Sequence, residues 1–282
     1  MSAPIRAVVL GLAIGLAGAL TWSRLVAANT RYLPTVPWAV AVMAPILVAW
    51  WHYLARGRGW PQRTAEARKL LGRANGVPDH LWGPALGAGA LGLLSTLLLQ
   101  AVLARLVTLP QQRDLDPSQY PAFTVFAWLV MSAAVSGIVE ETAARGYIQG
   151  GIERRYGLAP AILVTGMLFG ASHFTHPEVG LVLLPFYVAV SAVYGLLASA
   201  TNSTYPSMVL HAGGNLFSAF GLFVQGRSEW APSAVPAPTI WATGPDGPFL
   251  TSVGAFMIVG AVTVFAYRGL FRAARASTQI TA

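Results

Sequence analysis

Two adjacent carboxylates and an arginine, Glu140-Glu141-Thr-Ala-Ala-Arg145, follow about nineteen residues that carry no charge. Further on stand Phe169-Gly-Ala-Ser-His173 and His211-Ala-Gly-Gly-Asn215. Each motif holds an i, i+4 pair, and on a helix such pairs share a face. Ionisable groups inside a membrane are costly and mark function. Two histidines, two glutamates and an amide in an apolar setting suit two chemistries. In the first, His173, His211 and a glutamate such as Glu140 bind zinc and leave one position open, which lowers the pKa of bound water. In the second no metal is needed. Desolvation and mutual repulsion raise one carboxyl, which then acts as a general base on water. His211 and Asn215 would donate to the oxyanion of a tetrahedral intermediate. Both routes hydrolyse an acyl bond inside the membrane. Arg145 would neutralise Glu141 and leave Glu140 free, because neighbouring residues on an α-helix point about 100° apart.

Taken singly, these residues have plainer readings. Glu141–Arg145 is an ion pair, Phe169 a packing residue, and Gly213 and Gly214 small-residue helix contacts. His52 and His80 stand near span ends and read as interfacial or solvated. His176 follows the same logic, though it lies close to His173. The combination carries the functional reading.

Composition sets the frame for these groups. The chain of 282 residues is 55% hydrophobic and 10% charged, with a mean hydropathy of +0.58. A soluble domain carries about 25% charged residues, so this is a membrane protein. The net charge is +8 and Lys69 is the sole lysine. No basic stripe with interleaved aromatics appears, so nucleic acid is not an expected partner; membrane lipid is. Cysteine is absent, which removes disulfides, thiolate catalysis and cysteine metal sites.

A spanning helix needs about 20 apolar residues. The expected fold is an all-α polytopic transmembrane bundle with about eight spans: Ala7–Trp22, Pro37–Leu54, Leu81–Ala104, Pro121–Val139, Leu158–Phe174, Gly180–Ala200, Tyr205–Val224 and Pro248–Tyr267. The site falls between the fourth, fifth and seventh. The first span could be a signal peptide cleaved near the "AGA" at 17–19. Retention is the expectation, since seven further spans follow. Residues 1–282 read as one unit with a motif-bearing core at 121–224. The loop at 55–80 holds Arg56, Arg58, Arg63, Arg68, Lys69 and Arg73 and should be cytoplasmic. Counting outward puts both termini inside, with thirteen basic residues inside and five outside.

A hairpin count tests whether the motifs can meet. If the fourth and fifth helices turn at Tyr156–Gly157–Leu158, Glu140 and His173 both lie roughly 23–24 Å above the turn at 1.5 Å per residue. The fourth helix then runs past the acids toward Arg155, and the fifth ends shortly after His173.

Together the three motifs resemble the CPBP family of intramembrane proteases, which includes CAAX-processing Rce1-type enzymes and bacterial Abi proteins. The family pattern is E-E-x-x-x-R, F-x-x-x-H and H-x-x-x-N/D, and every anchor position matches in order. The resemblance implies that Glu140 and His173 activate the attacking water. It implies that His211 and Asn215 form the oxyanion hole or, with His173, contact a metal. Glu141 and Arg145 would support them, beside Phe169. Members are usually described as metalloproteases, while a glutamate-dependent, metal-free mechanism has been argued for the Rce1 branch. The cofactor is therefore zinc or none. Eukaryotic substrates are prenylated protein C termini. The arginine-over-lysine bias suggests a high-GC prokaryote and its plasma membrane, where membrane-associated peptides or small proteins are the expected substrates. The alternative is a non-catalytic immunity or binding protein, or a proton-coupled transporter.

Overall fold

Within hydrocarbon a lone segment can satisfy its backbone only as a helix. The computed structural model, which describes residues 2–108, 119–173, 177–224 and 238–280, has no strand among those residues. In chain order the helices are α1 (Ala3–Tyr32), α2 (Trp38–Ala55), α3 (Ala65–Gly72), α4 (Asp79–Leu103), α5 (Ala122–Tyr156), α6 (Leu158–Ser172), α7 (Pro177–Thr201), α8 (Tyr205–Val224) and α9 (Gly247–Ile280). His176 and most of the 225–248 loop lie outside the described residues.

Among the described residues, six helices are long and apolar enough to cross a membrane: α1, α2, α4, α5, α7 and α9. The other two expected spans are α6, with 15 residues, and α8, with 20. They are the two helices that carry the histidine motifs.

α5 is the spine. Its 35 residues run unbroken past both acids to Tyr156, and Gly157 at φ 85° makes the turn into α6. Between Ser136 and Gln149 nearly the whole segment is π-helical rather than α-helical. Such widened turns are rare and recur at functional sites. Every residue from Glu141 to Ile152 is buried. The segment is rich in Gly and Ala, so neighbours approach on all sides. A Cβ on Gly11 of α1 would stand 2.5 Å from Ile148 and 2.9 Å from the Ala143 carbonyl. One on Gly146 would stand 2.7 Å from the Leu71 carbonyl of α3. Small residues thus set the helix spacing, as expected where lipid supplies no hydrophobic drive between helices.

Buried polar bonds pin the periphery. Asn29 at the end of α1 is fully buried. It donates to the Leu33 and Val36 carbonyls at 2.7 and 2.9 Å and accepts from Ala39 N–H at 3.0 Å. Trp128 of α5 also donates to it, at 3.3 Å. The basic loop at 55–80 is more than a topology signal. Arg68 is buried, lies 4.0 Å from the Tyr53 ring centroid, and donates to the carbonyls of Tyr53 and Gly59 at 3.0 and 2.9 Å. It thereby caps the end of α2 and fixes α3 beneath α5. Across the molecule Arg105 and Asp246 form a 2.9 Å ion pair beside α9. The Arg105 hydrogen bond holds the Asp246 carboxyl below its ordinary value.

α5 and α8 touch at the point that matters most for the site. A Cβ on Gly137 would lie 2.7 Å from the Met208 carbonyl and 2.8 Å from Ala212 Cβ, on either side of His211. Gly137→Val should therefore push α8 away and cost about 1–3 kcal/mol, the usual range for overpacking. Thermal unfolding in detergent should show a lower Tm and turnover should fall. A Gly137→Ala change should do the same more mildly.

Candidate active site

The acids diverge in environment. Glu141 is completely buried, whereas the Glu140 side chain keeps 29% of its exposure. Glu141 Oε2 lies 3.4 Å from Arg145 Nε, an i, i+4 ion pair with both side chains sealed from solvent. Glu141 Oε1 lies 2.9 Å from His211 Nδ1. A carboxylate accepts, so His211 Nδ1 donates and its Nε2 faces the other way. There it stands 3.8 Å from Glu140 Oε2. His211 is thus bracketed by the two adjacent acids, one on each ring nitrogen.

The Arg145 guanidinium is fully buried. Its Nη1 donates to Ser191 Oγ of α7 at 3.0 Å. Its Cζ lies 5.6 Å from both the Phe169 and Tyr194 ring centroids, within cation–π range. Tyr194 also stacks on His211, with centroids 4.9 Å apart and planes at 15°. Phe169 meets His211 edge-on at 6.3 Å. Phe169 therefore packs both the arginine and the imidazole.

His173 caps the end of α6 and is exposed. Its Nδ1 lies 2.8 Å from the Phe169 carbonyl, an oxygen that can only accept, so Nδ1 carries the proton and Nε2 is the open nitrogen. Its ring stacks on Tyr187 at 5.1 Å. Asn215, one turn beyond His211, is half-buried and makes no hydrogen bond to a described residue.

Glu140, Glu141, Arg145, Phe169 and His211 therefore form one cluster. The arrangement differs from the hairpin expectation in one respect. The imidazole beside Glu140 is that of His211, and no hydrogen bond or ion pair joins Glu140 to His173 among the described residues. The hairpin count compared only α5 with α6, whereas α8 packs on α5 at this depth and brings its own imidazole to the acids. No three His, Asp or Glu among the described residues come together as metal ligands. The Nδ1 of His211 donates to Glu141, the contact that the second ring nitrogen of a metal-bound histidine also makes. Sequence reasoning missed Ser191 and Tyr194. Both stand in the apolar run "AVSAVYGLLA" three residues apart, and a hydroxyl pair at helical spacing inside a span was the available signal.

Helices of membrane length around a buried acid–imidazole–guanidinium cluster define an integral membrane protein with an intramembrane polar site. Residues 122–217 match the family model described as type II CAAX prenyl endopeptidase Rce1-like. The match covers all three motifs and about a third of the chain. The motif-bearing segment is thus similar to the Rce1-like family, in agreement with the resemblance carried by the motifs. No curated protein and no solved structure matches the chain.

Proposed function

We propose that the protein is an intramembrane endopeptidase that cleaves membrane-associated peptides or small proteins with glutamate-activated water. One observation carries this reading: His211 lies between Glu141 at 2.9 Å and Glu140 at 3.8 Å. With Nδ1–H donated to Glu141, both His211 Nε2 and Glu140 Oε2 are acceptors. A water between them donates one hydrogen to each, and its lone pair is left to attack a carbonyl carbon. Glu140, the partly exposed acid, takes the proton as the C–O bond forms. Glu141, neutralised by Arg145, fixes the tautomer and orientation of His211. Asn215 lies one helical turn from His211 with its amide uncommitted among the described residues, which suits it to donate to the oxyanion. Glu140 then gives that proton to the amine as the C–N bond breaks, and His173, whose open Nε2 is an acceptor, takes a hydrogen bond from the departing amine. No step needs a metal ligand set.

Residues 1–282 act as one unit in this reading, since α1 and α3 pack directly on the motif segment of α5. The arginine asymmetry supports cytoplasmic termini in a prokaryotic plasma membrane. The test is mass spectrometry of membrane peptides from cells with the active protein and with Glu140→Gln. Shortened peptides should accumulate only with the former. Indistinguishable peptide pools, with both proteins folded and equally abundant, would overturn the proposal. His173→Ala should lower kcat less than Glu140→Gln does, because His173 serves only departure of the amine.

A further inference from the structure

A second site lies on the opposite side of α7 from the acids. A groove of about 630 Å³ runs between α4, α7 and α9. Its walls are apolar or small along most of its length, with Gly92 and Leu99 of α4, Ala189 and Val193 of α7, and Phe256 and Gly260 of α9. One end is different. Arg268, Arg272 and Arg275 line it, spaced i, i+4, i+7 on one face of α9. All three are exposed. None has a carboxylate within ion-pair distance among the described residues. Arg268 only leans over the Phe265 ring at 5.9 Å.

The dimensions match one leaflet. From Phe256 to Tyr267 the apolar stretch is about 17 Å at 1.5 Å per residue, against a hydrocarbon half-thickness of about 15 Å. The three arginines occupy the next two turns, where headgroups begin. The α9 face turned away from the bundle is itself greasy, with Met257, Ile258 and Phe265 more than half exposed. The groove therefore opens where acyl chains already are. Guanidinium groups bind phosphate bidentately, and basic pockets between membrane helices recognise anionic headgroups.

We infer that this groove binds an anionic phospholipid, with one acyl chain along Gly92, Val193 and Gly260 and its phosphate held by Arg268, Arg272 and Arg275. A peptide fits less well. An extended backbone needs hydrogen-bond partners along its length, and the apolar walls offer few. Free phosphate would use the arginines but leave the groove unexplained. The inference does not depend on the peptidase reading, because no residue of the acid–histidine cluster takes part.

The experiment uses the full chain in nanodiscs of phosphatidylcholine with and without phosphatidylglycerol, and native mass spectrometry of the lipid that remains bound. The wild type should retain phosphatidylglycerol selectively. Replacing Arg268, Arg272 and Arg275 together with Gln should weaken retention on the order of a hundredfold, since each basic residue near an anionic surface is worth roughly a fivefold gain. Gly260→Leu, which fills the groove and leaves the arginines, should also lose retention. Non-selective retention by the wild type would overturn the inference. So would unchanged retention in Gly260→Leu, which would reduce the effect to surface charge. Displacement of the lipid by millimolar inorganic phosphate would assign the arginines to a free anion and equally overturn it.

Discussion

Glu140→Gln should lower kcat by about 10²–10⁴-fold, the span that a positioned general base contributes, with little change in KM or Tm. The substitution keeps the shape of the side chain and removes only its capacity to take a proton. Glu140 is the acid that can be changed cleanly. It is partly exposed, and its one ion-pair contact, to His211 Nε2, is 3.8 Å long. Nothing structural hangs on it. Glu141→Gln is the informative contrast, because that residue is sealed and bonded to His211 and lies beside Arg145. It should lose activity and stability together. Steady-state kinetics beside thermal unfolding separate the two cases. If Glu140→Gln retained turnover within a few-fold of wild type, the base would have to be His211 acting alone and the assignment of Glu140 would fall.

The placement of these groups was legible in part, and the boundary is instructive. The depth of Glu140 and Glu141 could be read because α5 is apolar before them and ends at a glycine that only a turn explains. The separation of the acids followed from helical geometry, which puts Glu141 and not Glu140 beside Arg145. The early end of α6 was legible from the level of His173. The partner of Glu140 was not. It depends on the height of α8, which is set by the contact of Gly137 with Met208 and Ala212, and a glycine announces close approach without naming what approaches. The π-helical widening of α5 was not legible either. It arises from packing on several sides of a Gly/Ala-rich segment, and no residue type specifies it. α3 was hidden by its charge: Arg68 looked like one more loop arginine, while its carbonyl partners are scattered between Tyr53 and Pro61.

Arg145→Met should be the most destabilising single change in the molecule. Arg145 and Glu141 are both completely buried, and removing one partner of a buried pair costs about 3–5 kcal/mol because the other charge is left uncompensated. The remaining contacts of Arg145 add to this. Methionine cannot donate to Ser191, and it forfeits the cation–π contacts with Phe169 and Tyr194. A stability loss alone would not show that the charge pair is responsible, since any cavity in this segment would lower Tm. The double variant Glu141→Gln with Arg145→Met decides it. With both charges gone, the desolvation penalty vanishes, and most of the lost stability should return, as buried ion pairs are often no better than apolar replacements. Activity should not return, because the neutral amide that replaces the Glu141 carboxylate lacks the charge that orients the Nδ1–H of His211. Recovered Tm without recovered turnover would show that this buried pair is kept for the histidine it positions. If the double variant were as unstable as Arg145→Met, the cost would lie in packing around Phe169 and Tyr194, and the pair would have no such role.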